Sequence, residues 1–372
     1  MQKKFNKLFK DYLSKNKNQN LETNTINRFV KKKLKSKVLS YKYNYNTRYM
    51  EDSINTISRW SKSYIRNSFA NNKAKEIELP LIKSDFSYFA DGKEFILCLS
   101  NNSRISVELT YGKLEQKIVR EMKHGEEFYN SIILIAKCSY NPWHYFTEIL
   151  TLANELIDKK IFSEKKIYLP YNPLFNDLIK LIDPNHRIKT YRINKIHAAK
   201  NSYFLEGIVG EVLLTSSIDK LVKKISKELN LNNSSYNFKD IYIGRNDTDK
   251  YRNRRKILYE KKALKIIKKK YPKIKVIRPG LMSIIESIKF MHNCKNVISP
   301  LGTQLVLNCL FSKNLKKMIE MVPELYKGFT TGELIAEFKK SKYKKISTKN
   351  ARSGWPLYTN QKINLKELKK IL

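Results

Sequence analysis

Asn141, Pro142, Trp143 and His144 are followed by Tyr145 and, four places after the histidine, by Glu148. A histidine and a carboxylate at i and i+4 share one helix face. An imidazole beside a carboxylate is suited to take a proton from a hydroxyl group. Pro142 fits the first turn of a helix, and the apolar residues Ser131 to Ala136 just before it read as a buried strand. In an open α/β sheet that junction is the carboxyl edge, where ligands bind. Spacing alone leaves a second reading open. Phe146, Ile149, Leu150, Ala153, Leu156 and Ile157 make one apolar face, and His144, Glu148, Thr151 and Glu155 opposite it would then be an ordinary solvated face.

The second constellation is cationic. Arg245 follows the strand-like Ile241 to Ile243, and Arg252, Arg254, Arg255 and Lys256 open the next helix. Guanidinium groups and helix N-termini suit a diphosphate, although in so basic a chain the cluster also reads as a plain charge run. Ser299, Pro300, Leu301, Gly302, Thr303 and Gln304 spell a strand, a tight turn and a helix start. Glycine lets backbone approach a phosphate, and the amides of Gly302, Thr303 and Gln304 could bind it. Glu320, ending a strand from Lys317, could bridge ribose hydroxyls.

The elements that must position these groups alternate. Phe95–Leu99, Ile105–Leu109, Ser131–Ala136 and Ile167–Leu169 read as strands, with helices at Pro142–Lys159 and Leu174–Ile182. A helix at Ile218–Leu229 marks a boundary. Strands at Ile241–Ile243, Ile274–Ile277, Asn296–Ser299 and Lys317–Glu320 then alternate with helices at Lys256–Lys269, Met282–His292 and Thr303–Phe311. Such alternation is the signature of a parallel, Rossmann-type sheet. A Lys-rich connector from Lys339 ends in a helix capped by Asn364 and Glu367. The expected organisation is a basic N-terminal extension over residues 1–75, an α/β domain over 76–217, a nucleotide-binding α/β domain over 218–340 and a tail over 341–372.

With 372 residues, two domains are expected. The formal charge of +40 attracts polyanions, yet its lysines are scattered among Asn, Ile and Tyr. No zinc-finger spacing, RNP-like aromatic box or KH-type loop accompanies them, so nucleic acid is not an expected partner. Leu8, Phe9 and Leu13 could line a basic helix resting on an anionic membrane, or belong to a solvated extension. The four cysteines, Cys98, Cys138, Cys294 and Cys309, lack CxxC spacing and sit among apolar neighbours, as reduced thiols of a cytoplasmic protein do. The N-terminus lacks the apolar core of a secretory signal, and no apolar run approaches the roughly 20 residues of a spanning helix.

Taken in order, these motifs resemble glycosyltransferase family 61. The succession is Asn141, His144 and Glu148 on a helix, Arg245 ending a strand, Arg255 to Glu260, the helix Met282–His292, the loop Ser299–Gly302, Asn308 to Phe311, and Lys317 to Glu320. The resemblance spans about Asn141 to Pro323. It implies a GT-B-like α/β fold, two Rossmann-type domains facing an inter-domain cleft, and inverting transfer of a sugar from a nucleoside diphosphate to a hydroxyl acceptor in surface polysaccharide or glycan synthesis. His144 or Glu148 would then be the base. Asn141, Trp143 and Tyr145 would lie on the acceptor side, and Arg245, Arg255, Gly302, Thr303, Gln304 and Glu320 would hold the donor. The donor expected is a uridine diphosphate sugar, with no cofactor or metal, and the acceptor a glycan or glycolipid, reached in the cytoplasm or at the inner membrane face. The family commonly has Pro-His-Gly-Ala where this chain has Leu301 before Gly302, and Asn where it has Tyr259. A relative that kept the fold but lost the donor pocket would serve as a scaffold instead.

Overall fold

Ile132, Ile133, Leu134 and Ile135 have no exposed surface, as a strand covered on both faces requires, and the first sheet is arranged around them. The computed structural model describes residues 38–42, 76–80, 82–91, 96–100, 106–107, 122–135, 139–160, 162–206, 215–245, 256–302, 307–326, 330–351 and 360–372. The chain divides into two units, Met1–Leu221 and Val222–Leu372. Each is α/β around its own sheet.

In the first unit β1 (Val38–Lys42) and β2 (Glu76–Pro80) pair as an antiparallel ribbon. The main sheet comprises β3 (Ile82–Asp91), β4 (Ile96–Ser100), β5 (Ser106–Val107), β6 (His124–Tyr129), β7 (Ile132–Ile135), β8 (Ile167–Pro170), β9 (Ile188–Tyr191) and β10 (Ile196–Glu206). Its order is β5-β4-β3-β10-β7-β8-β9, with β6 also on β10. The spine is β10, antiparallel to β3 and parallel to β6 and then to β7. Asn130 and Asn201 both take the left-handed conformation, at φ 46° and 47°, which asparagine tolerates better than most residues. The two strands therefore kink side by side, joined by Asn130 N–H to Lys200 O and Tyr203 N–H to Ser131 O. Polar His197, Lys200, Asn201 and Ser202 hide this long strand in the sequence. Two of them are buried and satisfied: the hydroxyls of Ser131 and Ser202 meet at 3.0 Å, and His197 Nδ1 accepts the Glu126 N–H at 3.0 Å.

The helical segment begins with α1 (Pro142–His144), passes through a π-helical stretch at Tyr145–Leu150 and continues as α2 (Thr151–Asp158). Next come α3 (Asn176–Ile182) and α4 (Thr215–Glu228), the latter straddling the division between units.

In the second unit the strands are β11 (Asp240–Ile243), β12 (Ile257–Leu258), β13 (Lys275–Ile277), β14 (Asn296–Pro300), β15 (Lys317–Pro323), β16 (Lys342–Asn350) and β17 (Gln361–Ile363). Helices α5 (Glu260–Lys270), α6 (Ile284–Met291), α7 (Thr331–Phe338) and α8 (Leu365–Ile371) accompany them. The sheet order is β12-β17-β16-β15-β14-β11-β13. The run from β13 through β11, β14 and β15 to β16 is parallel throughout. The first of these strands in sequence thus lies between the second and the third, which is a doubly wound order.

Three expectations change. The Lys-rich stretch from Lys339 is not a connector, since Lys342–Asn350 is a strand whose Ile346 and Thr348 point into the core while lysines face out. Glu320 does not end its strand, because β15 runs on to Pro323. The N-terminal extension contributes a strand, β1, while its Leu8–Leu13 segment lies outside the described residues. Before Phe311 only a short 3-10 turn, Leu307–Phe311, is described. The Asn364 cap holds, its Oδ1 accepting the Glu367 N–H at 3.1 Å. Cys294 and Cys309 are buried free thiols, and among the described residues no helix is long and apolar enough to cross a membrane.

Candidate functional site

On the first unit the candidate group is carried by α1 and the π-helical turn after it. Asn141 caps the start, its Oδ1 accepting the Trp143 N–H at 3.0 Å, and Pro142 needs no amide partner there. The Thr151 N–H then reaches back to Phe146 O, one residue further than an α-helix allows. Two threonines support the wide turn: Thr147 donates to Trp143 O at 2.8 Å and Thr151 to Phe146 O at 2.9 Å. Turns of this kind occur mostly inside α-helices at functional sites. Here it starts at the residue after His144.

His144 Nδ1 lies 2.5 Å from Glu148 Oε1. The imidazole is 22% exposed and the carboxylate 2%, so the carboxylate lies behind a ring that reaches the surface. The rest of the polar face is not the solvated face that spacing also allowed. Thr147, Glu148, Thr151, Asn154 and Glu155 are all buried, with Glu155 beside Lys159 at 3.3 Å and Lys220 at 3.9 Å. A carboxylate buried beside a cation retains a partner for its charge. Trp143 and Tyr145, expected to meet an acceptor, are enclosed. The Tyr145 hydroxyl donates to Pro170 O at 2.8 Å and its ring stacks on Phe175 at 4.8 Å. Asn141 is committed to its cap.

On the second unit the strand order reverses at β11, which has β13 on one side and β14 on the other. Ligands of doubly wound sheets bind beyond the strands' carboxyl ends at such a reversal. Arg245, two residues past β11, spans it. Its Nη1 donates to Leu301 O at 2.9 Å, at the turn after β14. Arg245 and the Gly302 turn are thus brought together, Leu301 offering its carbonyl and Gly302 being buried. Arg255, Thr303 and Gln304 lie outside the described residues, as do Arg252 and Arg254.

Glu320 is placed differently from what was expected. It has no exposed surface, and the Tyr343 hydroxyl donates to its Oε2 at 3.0 Å. Thr330, whose hydroxyl is 3.0 Å from that of Tyr343, caps α7 by accepting the Glu333 N–H. A Cβ on Gly332 would sit 2.6 Å from Glu320 Oε2, so α7 covers the carboxylate with bare backbone. Burial pushes the Glu320 carboxyl up to about 7. In this structure Glu320 is a buried strut held by Tyr343 and covered by α7.

A second polar group at this edge includes Glu260, named in the sequence only as the end of the Arg255 to Glu260 motif and given no partner there. Glu260, buried at the start of α5, accepts from the Tyr242 hydroxyl at 3.0 Å and lies 3.8 Å from Arg278 Nη2. A tyrosine in the middle of a wholly buried strand must find a hydroxyl partner, so Tyr242 was a signal for one. Arg278 follows β13 as Arg245 follows β11, the same strand-end pattern. Tyr259 just before Glu260 adopts φ 67°, which explains why asparagine suits that position better. Asn308 is buried and donates to Ser287 Oγ at 2.7 Å, tying the 3-10 turn to α6. Among the described residues no group of three or more His, Cys, Asp or Glu side chains is placed to hold a metal ion.

An α/β chain with a carboxylate-backed histidine in one unit and a cationic strand-order reversal in the other fits the class of group-transfer enzymes. A sequence model of the family described as Glycosyltransferase 61 matches residues 127–319, more than half of the chain, and the protein belongs to that family. It is a glycosyltransferase. The match takes in the helix with His144, the Arg245 strand end and the Gly302 turn, and stops one residue before Glu320. Among curated proteins none matches.

Proposed function

We propose that the protein transfers a sugar, with inversion, from a nucleoside diphosphate, a uridine diphosphate sugar foremost, to a hydroxyl of a glycan or glycolipid in surface polysaccharide synthesis. The observation that carries the donor side is the Arg245 guanidinium held across the strand-order reversal onto the Leu301 carbonyl. A fixed cation there stabilises negative charge as a diphosphate departs, and the amides following Gly302 would add donors. Arg255, near the same edge in sequence, is assigned to the same diphosphate. No metal is required by this scheme, because guanidinium groups and amides carry the leaving charge. On the acceptor side, His144 is the base and Glu148 the group that orients it, since the imidazole reaches the surface while the carboxylate does not. The work is cytoplasmic, with the basic N-terminal segment as a contact to anionic lipid.

The test is hydrolysis or transfer of a panel of sugar nucleotides by the purified chain, alongside Arg245→Ala. Turnover of one donor, reduced about 10- to 100-fold in the variant, supports the reading. Undiminished turnover in Arg245→Ala removes the diphosphate role, and no turnover together with no thermal stabilisation by any nucleoside diphosphate favours the scaffold.

A further inference from the structure

We propose that Arg278 is a further phosphate-binding cation of the donor nucleotide, held in place by Glu260. The inference rests on the donor reading above and adds a residue to it.

Three parallel strands end side by side at the reversal: β13 before Arg278, β11 before Gly244 and Arg245, and β14 before Leu301. The pairing of Ile243 with Ile277, continued by Gly244 N–H to Ile277 O at 2.8 Å, puts Arg278 beside Gly244. A Cβ at Gly244 would lie 3.4 Å from both Cζ and Nε of Arg278. The guanidinium therefore packs against the backbone that leads into Arg245, in space left by the missing side chain. Two guanidinium groups thus flank one peptide at the carboxyl edge of β11, on the side where an anion is expected.

The pair with Glu260 fixes the fork, and Arg245 keeps the edge net positive. Glu260 is buried and also accepts from Tyr242, and its Oε2 stands 3.8 Å from Arg278 Nη2. Arg278 itself is 24% exposed, so part of the fork faces outward. A diphosphate spreads its charge over two phosphoryl groups, and planar cations at the ends of two neighbouring strands match that better than one.

The experiment measures binding of a nucleoside diphosphate that stabilises the wild-type chain, together with its monophosphate and its nucleoside. The variants are Arg278→Gln and Arg278→Lys, and Arg278→Gln combined with Glu260→Gln so that no buried carboxylate loses its cation. The inference expects diphosphate binding to weaken about tenfold or more in both Gln-containing variants. Monophosphate should weaken less and nucleoside stay unchanged, with Arg278→Lys in between. Equal loss for nucleoside and diphosphate would reveal structural damage and overturn the phosphate role, as would unchanged diphosphate binding. Those results leave the donor reading intact if Arg245→Ala still loses affinity. Absence of any nucleotide binding by the wild-type chain would overturn both.

Discussion

The candidate groups on the two units are made in different ways. On the first unit, His144 and Glu148 are brought together by one turn of one helix and would meet in any helical segment with that spacing. On the second, Arg245, Leu301 and Arg278 come from the ends of three strands separated by dozens of residues, and only the sheet order makes them neighbours. Local geometry supplies the imidazole–carboxylate pair, whereas topology brings the cations of the proposed donor site to one sheet edge. Each unit also encloses one titratable side chain under a glycine. A Cβ on Gly125 would fall 2.4 Å from His197 Cε1, and one on Gly332 2.6 Å from Glu320 Oε2.

The sharpest break between the halves should be kinetic. His144→Ala is expected to lower kcat about 100- to 10,000-fold with donor affinity unchanged, measured by single-turnover transfer and separate nucleotide titration. Glu148→Gln should lower kcat less, since it keeps a hydrogen-bonding partner for the ring. If both variants lose donor affinity instead of turnover, the division of labour fails.

The next effect is on stability, and it has opposite signs in the two units. Glu320 has its carboxyl raised by burial from 4.5 to about 7, so its contribution is full below about 4.5 and is lost as pH rises through 7. Glu320→Gln, which stays neutral, should be the more stable protein at about pH 8 by up to about 3 kcal/mol, and the gap should close near pH 4.5. Denaturant titrations at both pH values decide it. In the first unit, burial foremost depresses the His197 imidazole below 6.5, against the Arg192 carbonyl and Glu126, which favour the charged form. The neutral ring is preferred, so stability is present above 6.5 and falls as pH drops through the folded value. His197→Gln should flatten that acid-side loss. Last in size, Gly125→Ala and Gly332→Ala should each cost about 1–3 kcal/mol through crowding, seen as a lower denaturation midpoint.

Much of the second unit was legible because its strands are short, fully apolar runs divided by helices with clear ends, such as Ser283 capping α6 through the Glu286 N–H. What escaped were strands whose core face is thin. In β16 only alternate positions such as Ile346 and Thr348 are buried, and the surrounding lysines overwhelm the pattern. The long β10 escaped for a related reason, its buried His197 and Ser202 being core residues only because partners from distant strands satisfy them. His144 and Glu148 were readable from spacing, and Arg245 from its place after a strand. Glu260 with Arg278 was not, because that pairing depends on β13 lying beside β11. The fate of Trp143 and Tyr145 also lay outside local pattern, for nothing nearby in sequence announces that Pro170 and Phe175 close over Tyr145.

The π-helical stretch at Tyr145–Leu150 holds one residue more than α-helical spacing would. Each residue of an ordinary helix advances about 100° around its axis. Deleting a position inside the stretch should therefore let it close to regular spacing with everything from Thr151 onward facing as before, at the cost of the wide turn beside His144. Deleting one between Thr151 and Glu155, where there is no such slack, should swing Glu155 by nearly a third of a revolution away from Lys220, so the loss of one residue should be tolerated at the first place and not at the second.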